Sequence, residues 1–256
     1  MPSANPLGAK VLFVVLSMPR TGSSMLTERL STHDTVRCFP AIFSATGWYD
    51  GRPTGNGGLL SWIRDNMDPE WEDQARRLAL PGKLLQEIVA KNADKTAVGF
   101  KHHLSAPREI TDFVLGLQRR KILLTRNNYL AAYSSQKITE MTGQGAVRAQ
   151  PDATVIKARA HFEPDEFQAF CSNRESHYAE ARTRVVGLTL EIDYVEARTD
   201  TGMTRIARFL KIDPNGFGPP RTAKRNSDNI MSRFQNRDEV IAYLRDHDLE
   251  HWANEQ

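Results

Sequence analysis

Apolar positions along this chain change their spacing several times, and each change marks an expected element. From Lys10 the sequence reads Val-Leu-Phe-Val-Val-Leu over 11–16, a β-branched apolar run closed by turn residues, the pattern of a strand buried on both faces. Beyond the turn 17–22, Met25, Leu26 and Leu30 fall on one side of a helix over 23–31. A second short strand is expected at 96–100. Ser105-Ala106-Pro107 then starts a helix whose Ile110, Phe113, Val114 and Leu117 recur at i, i+3, i+4 and i+7. A third strand over 121–125 leads to a helix through Leu130, Tyr133 and Ile138, and Pro164 opens a longer one through Phe167, Phe170, Tyr178 and Ala181. Residues 184–192 read as a fourth strand whose alternation is disturbed by Gly187, followed by a helix carrying Met203, Ile206, Phe209 and Leu210.

Strands alternating with helices predict an α/β fold, a central and mostly parallel sheet flanked by helices, with sites beyond the carboxyl ends of the strands. There is no internal repeat, low-complexity tract or linker, so residues 1–256 are read as a single domain. A loop-rich insertion at about 39–95 separates the first helix from the second strand. Within it, 50–58 holds four glycines, and like 142–157 it reads as a loop or lid.

Composition narrows the class without changing this picture. Hydrophobic residues make up 40% and charged residues 25% of the chain, with 16 Gly and 13 Pro, which excludes disordered, collagen-like and coiled-coil classes. The longest aliphatic and aromatic run, 11–16, is far short of a membrane span. It follows a single cation, Lys10, and leads into Pro19-Arg20-Thr21-Gly22, so it is not read as a signal peptide and the mature chain is expected to start near Met1. Two cysteines, Cys38 and Cys171, supply neither a disulfide framework nor a zinc knuckle and suit a reducing, cytoplasmic setting. The formal net charge of +3 sets up no field that would demand nucleic acid or an anionic membrane, so any anion site is local. Cations concentrate at Arg119, Arg120 and Lys121 with Arg126, at Arg205, Arg208 and Lys211, and at Arg221, Lys224 and Arg225.

The turn Ser17-Met18-Pro19-Arg20-Thr21-Gly22-Ser23-Ser24 joins the first strand to the first helix. Its backbone N–H groups and the helix N-terminus should face one small volume, an anion cradle, to which Arg20 adds charge and Thr21, Ser23 and Ser24 add hydroxyls. A plain strand-to-helix turn with a serine cap is the bland alternative. A Walker A loop fits poorly, because Ser23 stands where its lysine belongs.

These residues resemble the sulfotransferases that use 3′-phosphoadenosine 5′-phosphosulfate (PAPS), whose first strand is followed by a Pro-Lys/Arg-Ser/Thr-Gly-Ser/Thr-Ser/Thr loop holding the 5′-phosphosulfate. Pro19, Arg20, Thr21, Gly22, Ser23 and Ser24 match it in turn. A second signature of that family is an Arg at a strand end and a Ser eight residues on, which hold the 3′-phosphate; Arg126 and Ser134 have this spacing, about two helical turns. A third is Lys-x-His-Leu, matched by Lys101-His102-His103-Leu104 with His103 in the place of the base. A neutral imidazole at a strand end suits removal of a hydroxyl proton near pH 7. Neighbours on a strand point to opposite faces, so His102 is read as its structural partner.

The chain also departs from the pattern. Many relatives act through a Glu before a hydrophobic-Phe pair, whereas Pro40-Ala41-Ile42-Phe43 puts Ala41 there. The family's Arg-Lys-Gly cofactor loop is matched by Lys224-Arg225-Asn226, cations without the glycine. Asn236 to Glu239 reads as a helix N-cap with Glu at its third position, and Tyr194, after Asp193, as core packing. The resemblance implies a phosphosulfate-binding loop similar to a P-loop, PAPS as donor, adenosine 3′,5′-bisphosphate as product and no metal. Arg20 and the loop amides would serve the leaving phosphate, Lys101 the sulfuryl group and His103 the attacking hydroxyl. Glu28, His33 or the insertion are the alternative sources of a base. The acceptor is expected to be a small molecule or carbohydrate, since Trp48, Trp62 and Trp71 gather in the insertion with Phe39, Phe43 and Tyr49; a satellite core under a long loop explains them equally. A P-loop nucleotide kinase and a non-catalytic nucleotide-binding module are the rival readings.

Overall fold

Five strands form one sheet in the computed structural model, which describes residues 10–44, 59–143, 158–219 and 227–255. They are β1 (Val11–Ser17), β2 (Val36–Phe39), β3 (Ala97–His103), β4 (Arg120–Thr125) and β5 (Thr189–Asp193). Their order is β2-β3-β1-β4-β5 and every pairing is parallel. The middle place of β1 accounts for its unbroken apolar run, since Phe13, Val14, Val15 and Leu16 are all fully buried.

Alternation along β1 assigns the two faces. Phe13 and Val15 pack with Leu26 and Leu30 of α1 (Ser23–Leu30) and with Ile206 and Leu210 of α9 (Asp200–Leu210). Val14 and Leu16 meet α4 (Pro81–Lys91), α5 (Arg108–Gly116) and α7 (Pro164–Arg184) through Leu84, Ile110, Val114 and Tyr178. A third, aromatic cluster joins α6 (Tyr129–Thr142), α7, the 3-10 turn Ile230–Arg233 and α10 (Arg237–Asp246) around Tyr133, Phe162, Phe167 and Phe234. Trp252, in the 3-10 turn Glu250–Ala253, packs against this cluster and so brings residues 250–255 to the same end of the molecule. The remaining helices are α2 (Leu59–Asn66), α3 (Gln74–Ala79) and the single turn α8 (Tyr194–Ala197).

The expected α/β architecture is therefore present, with local differences. The edge strand β2 has no counterpart in the sequence pattern, because four residues, Val-Arg-Cys-Phe, carry too few positions to show a period. The fourth expected strand starts late: α7 runs to Arg184, and Gly187, at φ 94, turns the chain before β5 begins at Thr189. A side chain at Gly187 would meet the Arg119 carbonyl oxygen at 2.6 Å. In the expected insertion, residues 59–91 hold α2, α3, α4 and the 3-10 turn Pro69–Glu72, while 50–58 and 144–157 lie outside the described residues. Asn236 does not cap α10 with its side chain. It exchanges hydrogen bonds with the backbone of Phe162, accepting from N and donating to O, both at 2.9 Å, and so staples the segment before α7. Among the described residues no helix is long and apolar enough to cross a membrane.

Candidate functional site

The carboxyl ends of β1, β3, β4 and β5 bring Ser17, His103, Arg126 and Tyr194 to one rim of the sheet, with Ser17 in register with both His103 and Leu124. After β1 the chain turns through Met18, Pro19, Arg20, Thr21 and Gly22 into α1. Arg20 (φ 63) and Gly22 (φ 85) are both left-handed. For a non-glycine residue that conformation costs about 1–2 kcal/mol and persists only where neighbours enforce it.

The neighbours are three side chains from two other parts of the fold, α7 and the end of β4. Arg174 of α7 donates to the Pro19 carbonyl at 2.8 Å and to Thr21 Oγ1 at 2.7 Å. Tyr178, one turn along α7, accepts from Met18 N at 3.2 Å and donates to Leu124 O at 3.0 Å. Arg126, leaving β4, donates from Nη1 to the Arg20 carbonyl at 2.7 Å. These contacts hold the loop by the Pro19 and Arg20 carbonyls, the Thr21 hydroxyl and the Met18 N–H, while the first N–H groups of α1 have no intrahelical acceptor and the Gly22 N-cap brings no side-chain bond. Such an arrangement, an anion cradle at a helix N-terminus, can receive a phosphate-like group. Thr21 is fully buried and its hydroxyl donates to Met18 O at 2.7 Å, so what it offers the cradle is its backbone. Ser23 is buried and Ser24 half-buried in the first turn of α1. The Arg20 guanidinium reaches α6, where Nε and Nη2 donate to Ser135 Oγ at 3.1 and 2.9 Å.

On β3 the two histidines separate as strand alternation requires. Buried His102 lies toward α5, with Nε2 3.0 Å from Thr111 Oγ1, and burial lowers its pKa to about 4. Lys101 and His103 share the opposite face. Burial brings the Lys101 ammonium down to about 7, Arg20 pushing the same way and Glu28 against it. His103 falls to about 2, mainly through burial and further through Lys101, His102, Arg20 and Arg174. It is a neutral imidazole in a cationic setting. Of the alternative bases, His33 is held before β2, at the amino ends of the strands, by Asp213 O at 3.0 Å and Thr35 N at 3.2 Å.

Beside the cradle lies a cluster of buried charges. Arg126 grips the Glu255 carboxylate with one edge of its guanidinium, Nε to Oε1 at 2.7 Å and Nη2 to Oε2 at 2.6 Å, a strong bidentate geometry. Arg233 approaches the same carboxylate at 3.7 Å and donates to Ser134 Oγ at 3.2 Å and Ser227 O at 2.9 Å. Burial, then repulsion from Arg126, lowers the Arg233 pKa to about 10, with Glu255 opposing. Ser134 is fully buried and donates to Ala131 O at 3.1 Å.

Tyr194 departs from its expected place in the core: it is half-buried at the rim, with the Arg126 guanidinium 4.6 Å from its ring centroid. A Cβ on Gly22 would lie 2.3 Å from Tyr194 Cδ2, so glycine there serves both the left-handed turn and the close approach of this ring. Trp71 is buried, its Nε1 donating to Glu87 at 2.8 Å, and Trp62 packs edge-on to Phe39 at 4.6 Å, so these rings belong to the core over α2–α4. Trp48, Tyr49, Lys224 and Arg225 lie outside the described residues. Among those described, no group of three or more His, Cys, Asp or Glu is arranged to hold a metal ion.

Sequence reading missed Arg174, Tyr178, Ser135, Arg233 and Glu255 as site residues. Arg174 had left a signal, for it sits on the apolar stripe Phe167, Phe170, Tyr178, Ala181, where a charge needs a buried partner. The others become neighbours only through the fold.

A scan against protein-family models finds no match. A search of the curated proteins by sequence finds no match either. Among solved structures, it is similar to a sulfotransferase from Alicyclobacillus acidocaldarius, at 16% identity and a TM-score of 0.45, over 95% of each chain. It is also similar to the sulfotransferase domain of the Synechococcus PCC 7002 olefin synthase, at 20% identity and a TM-score of 0.48, over 83% of this chain and 76% of that one.

Proposed function

We propose that this chain is a sulfotransferase that moves the sulfuryl group of PAPS to a hydroxyl of a small-molecule or carbohydrate acceptor and releases adenosine 3′,5′-bisphosphate. The observation that carries this reading is the pairing of two anion sites through one guanidinium. Arg126 clamps the cradle at Arg20 O through Nη1, and its Nε–Nη2 edge grips the Glu255 carboxylate, which lies against Arg233, itself bonded to Ser134. A donor with a 5′-phosphosulfate and a 3′-phosphate needs two such sites, one on either side of a ribose.

The chemistry is chiefly alignment and charge stabilisation. The acceptor oxygen attacks sulfur, the S–O bond to the leaving phosphate breaks, and the hydroxyl proton passes to neutral His103. Charge developing on the leaving phosphate meets the α1 N-terminus and Arg20, and Lys101 faces the sulfuryl oxygens. Taken with the protein's groups alone, His103 is a weak base, because burial and the surrounding cations hold it near 2. The donor's negative charge offsets those cations and raises its proton affinity toward a working range.

The test is a transfer assay with labelled PAPS across a panel of hydroxyl acceptors, run with and without exhaustive chelation. Transfer is expected to survive chelation. His103→Ala is expected to lower kcat by about 10²–10⁴ with adenosine 3′,5′-bisphosphate affinity nearly unchanged. An absolute magnesium requirement with a nucleoside triphosphate donor would establish the kinase reading instead, and nucleotide binding without turnover on any acceptor would establish the binding module.

A further inference from the structure

The arginine cluster is already filled by the chain itself. The Glu255 side chain is 1% exposed and takes the Nε–Nη2 edge of Arg126 in a bidentate pair, with Arg233 behind it. Two guanidiniums therefore face one carboxylate, and a buried pair of cations with a single negative charge is incompletely neutralised. A phosphate dianion would balance it. The backbone that delivers Glu255 is held by few bonds: its N–H donates to Asp228 O at 3.0 Å, Asn254 makes an isolated bridge with Asn229, and the Asn128 amide donates to Trp252 O and Asn254 O. Moving this carboxylate aside disturbs no strand of the sheet.

We propose that Glu255 is an internal competing anion, which occupies the Arg126–Arg233 site when no phosphate is there and is displaced when a 3′-phosphorylated nucleotide binds. The identity of the ligand rests on the sulfotransferase reading; the competition itself rests on the cluster. Because donor and product both carry the 3′-phosphate, the return of Glu255 to Arg126 weakens the hold on product and helps clear the site after transfer. A ligand that binds only after a resident group leaves loses affinity in proportion to how fully that group holds the site.

Two measurements on the full chain test this. In titration calorimetry, Glu255→Gln is expected to bind adenosine 3′,5′-bisphosphate about tenfold or more tightly than the parent, and adenosine 5′-monophosphate, which has no 3′-phosphate, equally in both. Equal or weaker binding of the bisphosphate by the variant would overturn the proposal and make Glu255 a fixed part of the site. The second measurement is thermal unfolding with inorganic phosphate as the probe. Phosphate is expected to raise the midpoint of Glu255→Gln more than that of the parent, and to restore the variant if it folds poorly without phosphate. Equal shifts, or no restoration, would count against the competition. If neither protein binds the bisphosphate yet phosphate stabilises only the variant, the sulfotransferase reading falls and the competing anion stands.

Discussion

The anion cradle and the arginine cluster lie side by side, yet they are built in opposite ways. The cradle takes its donors from contiguous backbone, residues 20–25, and its fixed points are carbonyls held by Arg174 and Arg126. The cluster takes its charges from side chains at 126, 233 and 255 and a hydroxyl from Ser134, which meet only when α6, the 3-10 turn Ile230–Arg233 and residues 250–255 pack together. A backbone site needs its conformation enforced, whereas a site of buried charges needs a counter-charge. Arg126 belongs to both, so it is the place to break the distinction.

The largest effect is expected at Arg126. Arg126→Ala removes the donor from Arg20 O and leaves the buried Glu255 carboxylate, among the described residues, with Arg233 alone at 3.7 Å. Such an unpaired charge costs about 3–5 kcal/mol, measurable by denaturant unfolding. The double variant Arg126→Ala/Glu255→Ala is expected to recover part of that loss, because the stranded charge is gone and the two effects are not additive. A single-variant cost below about 1 kcal/mol would mean that the pair contributes little in solution and that the two regions are independent.

An intermediate effect is expected at Gly22, which belongs to the cradle alone. Gly22→Ala imposes a left-handed alanine and pushes on Tyr194, for about 1–3 kcal/mol and a weaker hold on phosphate. Tyr194→Ala in the same chain relieves the steric part and leaves the backbone part. If the double variant is no more stable than Gly22→Ala, the close approach of the ring is not what restricts position 22.

This difference in construction also explains what could be read from the sequence. The cradle lies within one strand-turn-helix unit, so the period of 11–16, the turn residues and the helical spacing after them expose it without knowledge of the fold. His102 and His103 separate as alternation requires, since β3 is long enough to fix its own faces. Edge strand β2 is too short to show a period, and the start of β5 is masked by the left-handed Gly187. Glu255 is one carboxylate among many, and its meeting with Arg126 depends on the aromatic cluster that holds Trp252. Tyr194 was misplaced for a related reason: a tyrosine after a strand looks the same whether it enters the core or lies under an arginine.

The smallest effect sharpens the comparison at the charged side chain that the cradle loop itself carries. Arg20 keeps its left-handed backbone through Arg126, and its guanidinium donates from Nε and Nη2 to Ser135 of α6. Ser135→Ala removes one neutral acceptor from a half-buried cation, and the loss of stability is expected to be about 0.5–1.5 kcal/mol. If Ser135 aims Arg20 at the leaving phosphate, the variant lowers kcat by about three- to tenfold with product affinity unchanged, because misdirected charge is felt where charge develops. Ser135→Thr, which keeps the hydroxyl, should restore the rate. A fall in product affinity with kcat intact would show that Arg20 serves binding alone, and the cradle would then owe its effect on the reaction to backbone amides rather than to any side chain of its own.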